Sequence, residues 1–246
     1  MKEGCSLVIK KSDSKQYPNR IMEIDFLRGI AIILMMLFHF LYDLQAFYNI
    51  PIPSWNHFWY YEGKLSAILF MLLAGISCTF SKNNLIRGFK VFLIGMLLTI
   101  GTYILMPEEY IRFGILHLLG LSMILFHYIR VIPLLWTGVL SIMIIILGII
   151  MDRITINTWL LSPIGLIHDS FNSMDYYPLF PWFGVFLIGT LIGRTVYKEK
   201  KSIFNKTCQD GLLNFLGRHS LFIYLIHQPI FLLILYVAFH FILKTG

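Results

Sequence analysis

Charge is scarce in this chain. Only 13% of its 246 residues are Asp, Glu, Lys or Arg, about half the share of an ordinary soluble domain. No stretch is both polar and long enough to fold as a soluble domain. The three cysteines, Cys5, Cys78 and Cys208, lie far apart and form no C-x-x-C. That excludes a disulfide framework and a cysteine metal site. The eight histidines show neither H-x-x-x-H nor H-E-x-x-H spacing, so a metal site has no support. Residues 1–20 contain no apolar core and no small-residue cleavage site, so they do not form a cleaved signal peptide. There is no internal repeat and no low-complexity tract.

Apolar residues fill the space. The chain is 57% hydrophobic and 16% aromatic, with a mean hydropathy of +0.73. A bilayer-spanning helix needs about 20 predominantly apolar residues. Segments 24–47, 63–80, 86–106, 111–128, 131–150, 178–197 and 219–243 meet that need. The expected fold is all-α: a polytopic transmembrane helix bundle of about seven spans, 23–246, behind a short basic tail, 1–22. The stretch 151–177 is the longest non-spanning segment and has room for a short interfacial helix.

The net charge of +7 does not point to nucleic acid, because the basic residues lie between apolar runs and not on a polar domain. Their placement reports orientation instead. With the N-terminus inside, the inner segments hold fifteen Lys and Arg and the outer ones four, namely Lys64, Arg112, Arg153 and Lys244. The expected topology is a cytoplasmic N-terminus in the cell membrane.

A charge inside hydrocarbon costs about 2.5–3.5 kcal/mol even on the lenient insertion scale. The first span nevertheless carries Glu23, Asp25, Arg28, His39 and Asp43. Arg28 sits about one turn inside the boundary, and His39 lies eleven residues on, roughly 16 Å deeper and close to three turns away. The two therefore share a face. Asp43 follows His39 by four residues and is spaced to orient its imidazole. Two readings of this cluster stay open: polar glue between helices, with Arg28 paired to Asp25, or a catalytic site. His57, after Ser54-Trp55-Asn56, His117 in the fourth span and His227 before Gln228-Pro229 are further candidates. The run Tyr176-Tyr177-Pro178-Leu179-Phe180-Pro181-Trp182 fits an interfacial anchor or a wall that stacks on sugar.

Together these residues form a pattern. Arg20, Glu23 to Ala31, Phe38-His39 and Tyr42-Asp43-Leu44 resemble the heparan-alpha-glucosaminide N-acetyltransferase catalytic-domain family. Phe113 to Gly120, Tyr177 to Gly184, and Leu216 to Ser220 through His227-Gln228-Pro229 are similar to its later motifs. The spacing of Arg28 and His39 also resembles that of the wider membrane acyltransferases that modify cell-surface sugars. The resemblance implies transfer of an acyl group, acetyl first, from cytoplasmic acyl-CoA to a sugar or other envelope acceptor, with no metal. It implies that Arg28, with Asp25 and His117, serves the acetyl-CoA and that His39, Asp43 and His57 form the catalytic set. Eukaryotic members carry Asn at the position of His39 and place a catalytic His just before a similar Ser-Trp-Asn, whereas His57 follows that triplet. Both histidines therefore stand as the candidate base. The eukaryotic members also have more helices and a lumenal region that this chain lacks.

Two other classes are compatible with the residues alone. A transporter or flippase for a small polar or lipid-linked solute would use intramembrane Arg, His and Asp as a proton relay, although the absence of a repeat weighs against it. A structural membrane subunit is the other. Homo-oligomerisation stays open.

Overall fold

The computed structural model describes residues 21–203 and 211–242. Most of the expected N-terminal tail, with Cys5, and also Cys208, lie outside them. Among the described residues all regular elements are helical, with two isolated β-bridges in loops.

Helix α1, Met22–Tyr48, opens with Glu23 and Asp25 in its first turn, where acids complement the helix dipole. It ends at Asn49, whose φ of 53° is left-handed, a conformation that Asn adopts more readily than most residues. A π-turn, Trp55–Trp59, leads into α2, Tyr60–Phe80. Helix α3, Asn84–Leu105, is capped by the Asn83 side chain accepting from the Ile86 N–H. Helices α4, Ile115–Ile129, and α5, Leu134–Met151, are separated by Pro133, the N-cap of α5. Pro178 likewise precedes α6, Leu179–Thr195. A seven-residue helix, α7, Leu212–Arg218, precedes α8, Ser220–Val237, which continues as a π-helical turn, Ala238–Ile242.

Among the described residues seven apolar helices stand where seven spans were expected, but only five of them are long and apolar enough to cross a membrane: those around α1, α2, α3, α5 and α8. Helices α4 and α6 have 15 and 17 residues, roughly 23 and 26 Å, short of the ~30 Å hydrocarbon core. For α4 the reason lies before the helix. Phe113 and Tyr176 pair as a parallel bridge, and the Tyr177 N–H donates to the Phe113 carbonyl at 2.9 Å. The stretch read as the start of the fourth span is thus extended backbone, its polar groups satisfied by the segment that precedes α6. Between Met151 and Pro178 the structure has a three-residue 3₁₀ turn, Ser162–Ile164, and no longer helix.

Helix α2 is the hub, packing on α1 and on α6; α3 packs on α4, α5 on α6, and α7 and α8 on α1. The α1–α7 contact is backbone to backbone. A Cβ on Gly29 would fall on the Leu213 carbonyl, and one on Gly217 would fall on the Asp25 carbonyl. Small residues permit such approach where lipid offers no hydrophobic drive between helices. The approach places Arg218, at the end of α7, beside the first turns of α1. Apolar side chains of α3 and α5, such as Leu97, Ile104, Leu135 and Ile149, are exposed, as expected for surfaces that face lipid.

Candidate active site

Two cavities lie end to end between α1, α2, α4 and α8. One, of about 200 Å³, is lined by His39, Ser66, Asp175 and Tyr177 among others. The second, of about 240 Å³, is lined by Arg28, Arg87 and Arg218 with apolar residues of α2 and α4. Phe70, Ile115 and Tyr224 line both. The histidine cavity and the arginine cavity are therefore neighbours across a wall of three side chains.

His39 is held in one tautomer. Its Nδ1 lies 2.8 Å from the Met35 carbonyl, which can only accept, so Nδ1 carries the proton and Nε2 the lone pair. Met35 is four residues back on the same helix. Asp43, expected to orient this imidazole, does not: it is fully buried and its Oδ1 accepts from Gln228 Nε2 at 2.7 Å. The turn that carries Asp43 faces α8, and there the amide takes it. The backbone of α1 orients its own histidine.

His227 repeats the arrangement on α8. Its Nδ1 donates to the Tyr224 carbonyl at 2.7 Å, and its buried Nε2 has no hydrogen-bond partner. The His39 and His227 rings are edge to face, with centroids 4.9 Å apart. Asp43 Oδ2 and Gln228 Oε1 are also buried without partners. This corner of the bundle thus presents acceptors, which suit a ligand or water that brings hydrogens.

Asp175, in the loop before α6, lines the same cavity as His39. Its Oδ2 accepts from the Ile115 N–H at 3.0 Å, capping the N-terminus of α4, and receives the Tyr224 hydroxyl at 3.4 Å. Burial pushes its carboxyl above the ordinary carboxylate range, while the Ile115 N–H, His39 and Tyr224 pull in the other direction.

The remaining expected site residues fall elsewhere. His57 is exposed in the π-turn and lines neither cavity; it is Trp55 of the preceding triplet that reaches inward, stacked on Phe38 at 5.4 Å. His117 is 2% exposed and sits between α3 and α4. Its Nδ1 accepts from the Gly114 N–H at 3.2 Å, so its Nε2–H faces Thr99 Oγ1, also at 3.2 Å; that hydroxyl donates to the Ile111 carbonyl. His117 ties the start of α4 to α3 and lines neither cavity. Asp25 pairs with Arg28 at 3.4 Å, and Arg28 also donates to Ser77 Oγ. One of the expected cofactor residues, Arg28, borders a cavity with two further arginines.

Asp175, Tyr224, Arg87 and Arg218 were not singled out for the site from the sequence, whereas His227 was one of its further candidates. His227-Gln228-Pro229 carried a signal, a proline-interrupted apolar helix with polar neighbours. Asp175 carried one in standing directly before the aromatic run.

A helical bundle with five helices of membrane-crossing length defines a multi-pass membrane protein, and two abutting cavities lie within it. Residues 20–229 match the family model described as heparan-alpha-glucosaminide N-acetyltransferase, catalytic. The chain belongs to that family, one of membrane acetyltransferases. No curated protein and no solved structure is significantly similar to it. Among the described residues no cluster of His, Cys, Asp and Glu is arranged to hold a metal ion.

Proposed function

We propose that the protein transfers an acetyl group from acetyl-CoA, entering the arginine cavity, to a sugar or other envelope acceptor entering the histidine cavity. The observation that carries this reading is the pair of cavities of opposite character sharing one wall. Three arginines suit phosphates, since a guanidinium offers a planar fork of donors to phosphate oxygens. When bound, acetyl-CoA supplies the activated thioester. His39 Nε2, kept free of a proton by the Met35 carbonyl, removes the proton from the acceptor's hydroxyl or amine as general base. Asp175, on the same cavity, accepts from a donor on the acceptor and aligns it. His57 has no part in proton transfer in this reading.

The orientation follows from the same arrangement. Arg28, Arg87 and Arg218 all fall at the end of the bundle to which the basic loops assign the cytoplasm. The arginine cavity then faces the compartment that holds acyl-CoA, and the N-terminus lies on the cytoplasmic side of the cell membrane. A transporter would use the same two cavities in alternation. The lone-pair nitrogen of His39 beside Asp175 favours chemistry over passage.

The test is calorimetric titration of the detergent-solubilised protein with acetyl-CoA, paired with label transfer from acetyl-CoA in membranes. Binding in the micromolar range or tighter and label on an envelope acceptor are expected. A wild-type protein that binds no acetyl-CoA turns the assignment to the transporter.

A further inference from the structure

We infer that Phe70 and Ile115 form an aperture that decides the length of the acyl group the protein accepts. This rests on the acyl-CoA reading above. Helix α2 lines both cavities with one face: Gly63, Ser66, Ala67 and Phe70 border the histidine cavity, and Phe70 and Ala74 the arginine cavity. The spacing, three, four, seven and eleven residues from Gly63, is that of a single helical stripe. Phe70 is the one bulky residue in it, and it stands where the two cavities meet. Opposite it, Ile115 opens α4, with its N–H tied to Asp175.

A thioester that is held by its phosphates among the arginines and attacked by a nucleophile beside His39 has its carbonyl at this wall. The acyl chain beyond the carbonyl must then pass Phe70 and Ile115 or pack against them. Tyr224, the third shared side chain, is tied to Asp175 through its hydroxyl and has less freedom to move aside. Phe70 and Ile115 have only apolar side chains, with no hydrogen bond to hold them, so their volumes set the space. An aperture closed by a phenyl ring and a branched aliphatic side chain passes an acetyl group and obstructs longer chains. A methylene added to or removed from a closed apolar pocket alters discrimination by about 10–200-fold.

The experiment compares wild-type protein with Phe70→Ala and Ile115→Val. Calorimetry in detergent gives the affinities for free CoA, acetyl-CoA and butyryl-CoA. Release of free CoA thiol from each acyl-CoA in membranes gives a second readout. In the wild type acetyl-CoA is preferred. Phe70→Ala shifts the butyryl-to-acetyl ratio toward butyryl by about tenfold, with the affinity for free CoA measured in each variant as the reference. Ile115→Val, a smaller change and so a second check should Phe70→Ala disturb the fold, shifts the ratio in the same direction. If the wild type binds acetyl-CoA and neither variant moves the ratio, the aperture assignment is overturned by itself. If the wild type binds neither CoA nor acetyl-CoA, the transferase reading falls and takes this inference with it.

Discussion

The imidazoles of His39 and His227 meet edge to face across the α1–α8 contact, 4.9 Å between centroids, each with its Nδ1 against a backbone carbonyl of its own helix. Both rings therefore offer an Nε2 lone pair in the same corner of the bundle. His39 lines a cavity and His227 does not. The first is placed to meet a substrate, and the second to shape the environment of the first.

That difference sets the expected result for histidine substitutions. A positioned general base contributes about 10²–10⁴ in rate. His39→Ala lowers acetyl transfer at least a hundredfold and leaves acetyl-CoA binding nearly intact. His57→Ala, at an exposed position, has little effect. Turnover of labelled acetyl-CoA in membranes, with protein level and monodispersity checked, measures both. Full activity in His39→Ala would reject it as the base.

Arg28→Lys keeps the charge and loses the planar fork. It weakens acetyl-CoA binding by about 1.5–3 kcal/mol, the scale of one charge-assisted hydrogen bond. Because Arg28 also holds Asp25 and Ser77, a melting curve in detergent accompanies the calorimetry. A fall in affinity with an unchanged melting temperature assigns the effect to the ligand.

Asp175→Asn tests the acceptor side. The amide oxygen still accepts from the Ile115 N–H, so the cap of α4 survives, but the negative charge is gone. Acetyl-CoA affinity stays at the wild-type value, and transfer falls about tenfold or more, as for the loss of one hydrogen bond to a charged group. Equal losses in binding and transfer would place Asp175 in the scaffold instead.

Gln228→Ala leaves Asp43 buried with both oxygens unpartnered, since Oδ2 already lacks a partner and Gln228 serves Oδ1. The unfolding free energy drops by about 1–3 kcal/mol, seen as an earlier thermal transition in detergent. Gly217→Ala acts at the other end of α1: its Cβ meets the Asp25 carbonyl, and overpacking costs about 1–3 kcal/mol. It also displaces Arg218, so acetyl-CoA affinity falls along with stability.

For topology, a reporter active only outside the membrane, fused near Glu108, is expected to give signal, and the same reporter near Lys200 is expected to stay silent. The reverse pattern would invert the bundle and place the arginine cavity on the outer face.

Composition and apolar run length were enough to define a helical membrane protein and to locate seven apolar helices, because a helix in lipid satisfies its backbone within a single segment. The shared face of Arg28 and His39 was legible for the same reason: position along one helix is a matter of local geometry. The partner of Asp43 was not. A spacing of four residues allows contact with His39, but α8 packs against α1 and supplies Gln228, and no local rule ranks a distant amide against a near imidazole. The start of α4 was misread because Phe113 is extended and pairs with the segment before α6, so it need not be helical; α6 begins within one residue of its expected start. Asp175, Tyr224 and Phe70 come from a loop and two different helices, and only packing brings them to one cavity. Within single helices the sequence decided which residues share a face. Which faces meet around a cavity was decided by the tertiary structure, where close backbone crossings such as Gly29 with Gly217 and buried polar pairs select one arrangement of nearly uniform apolar surfaces.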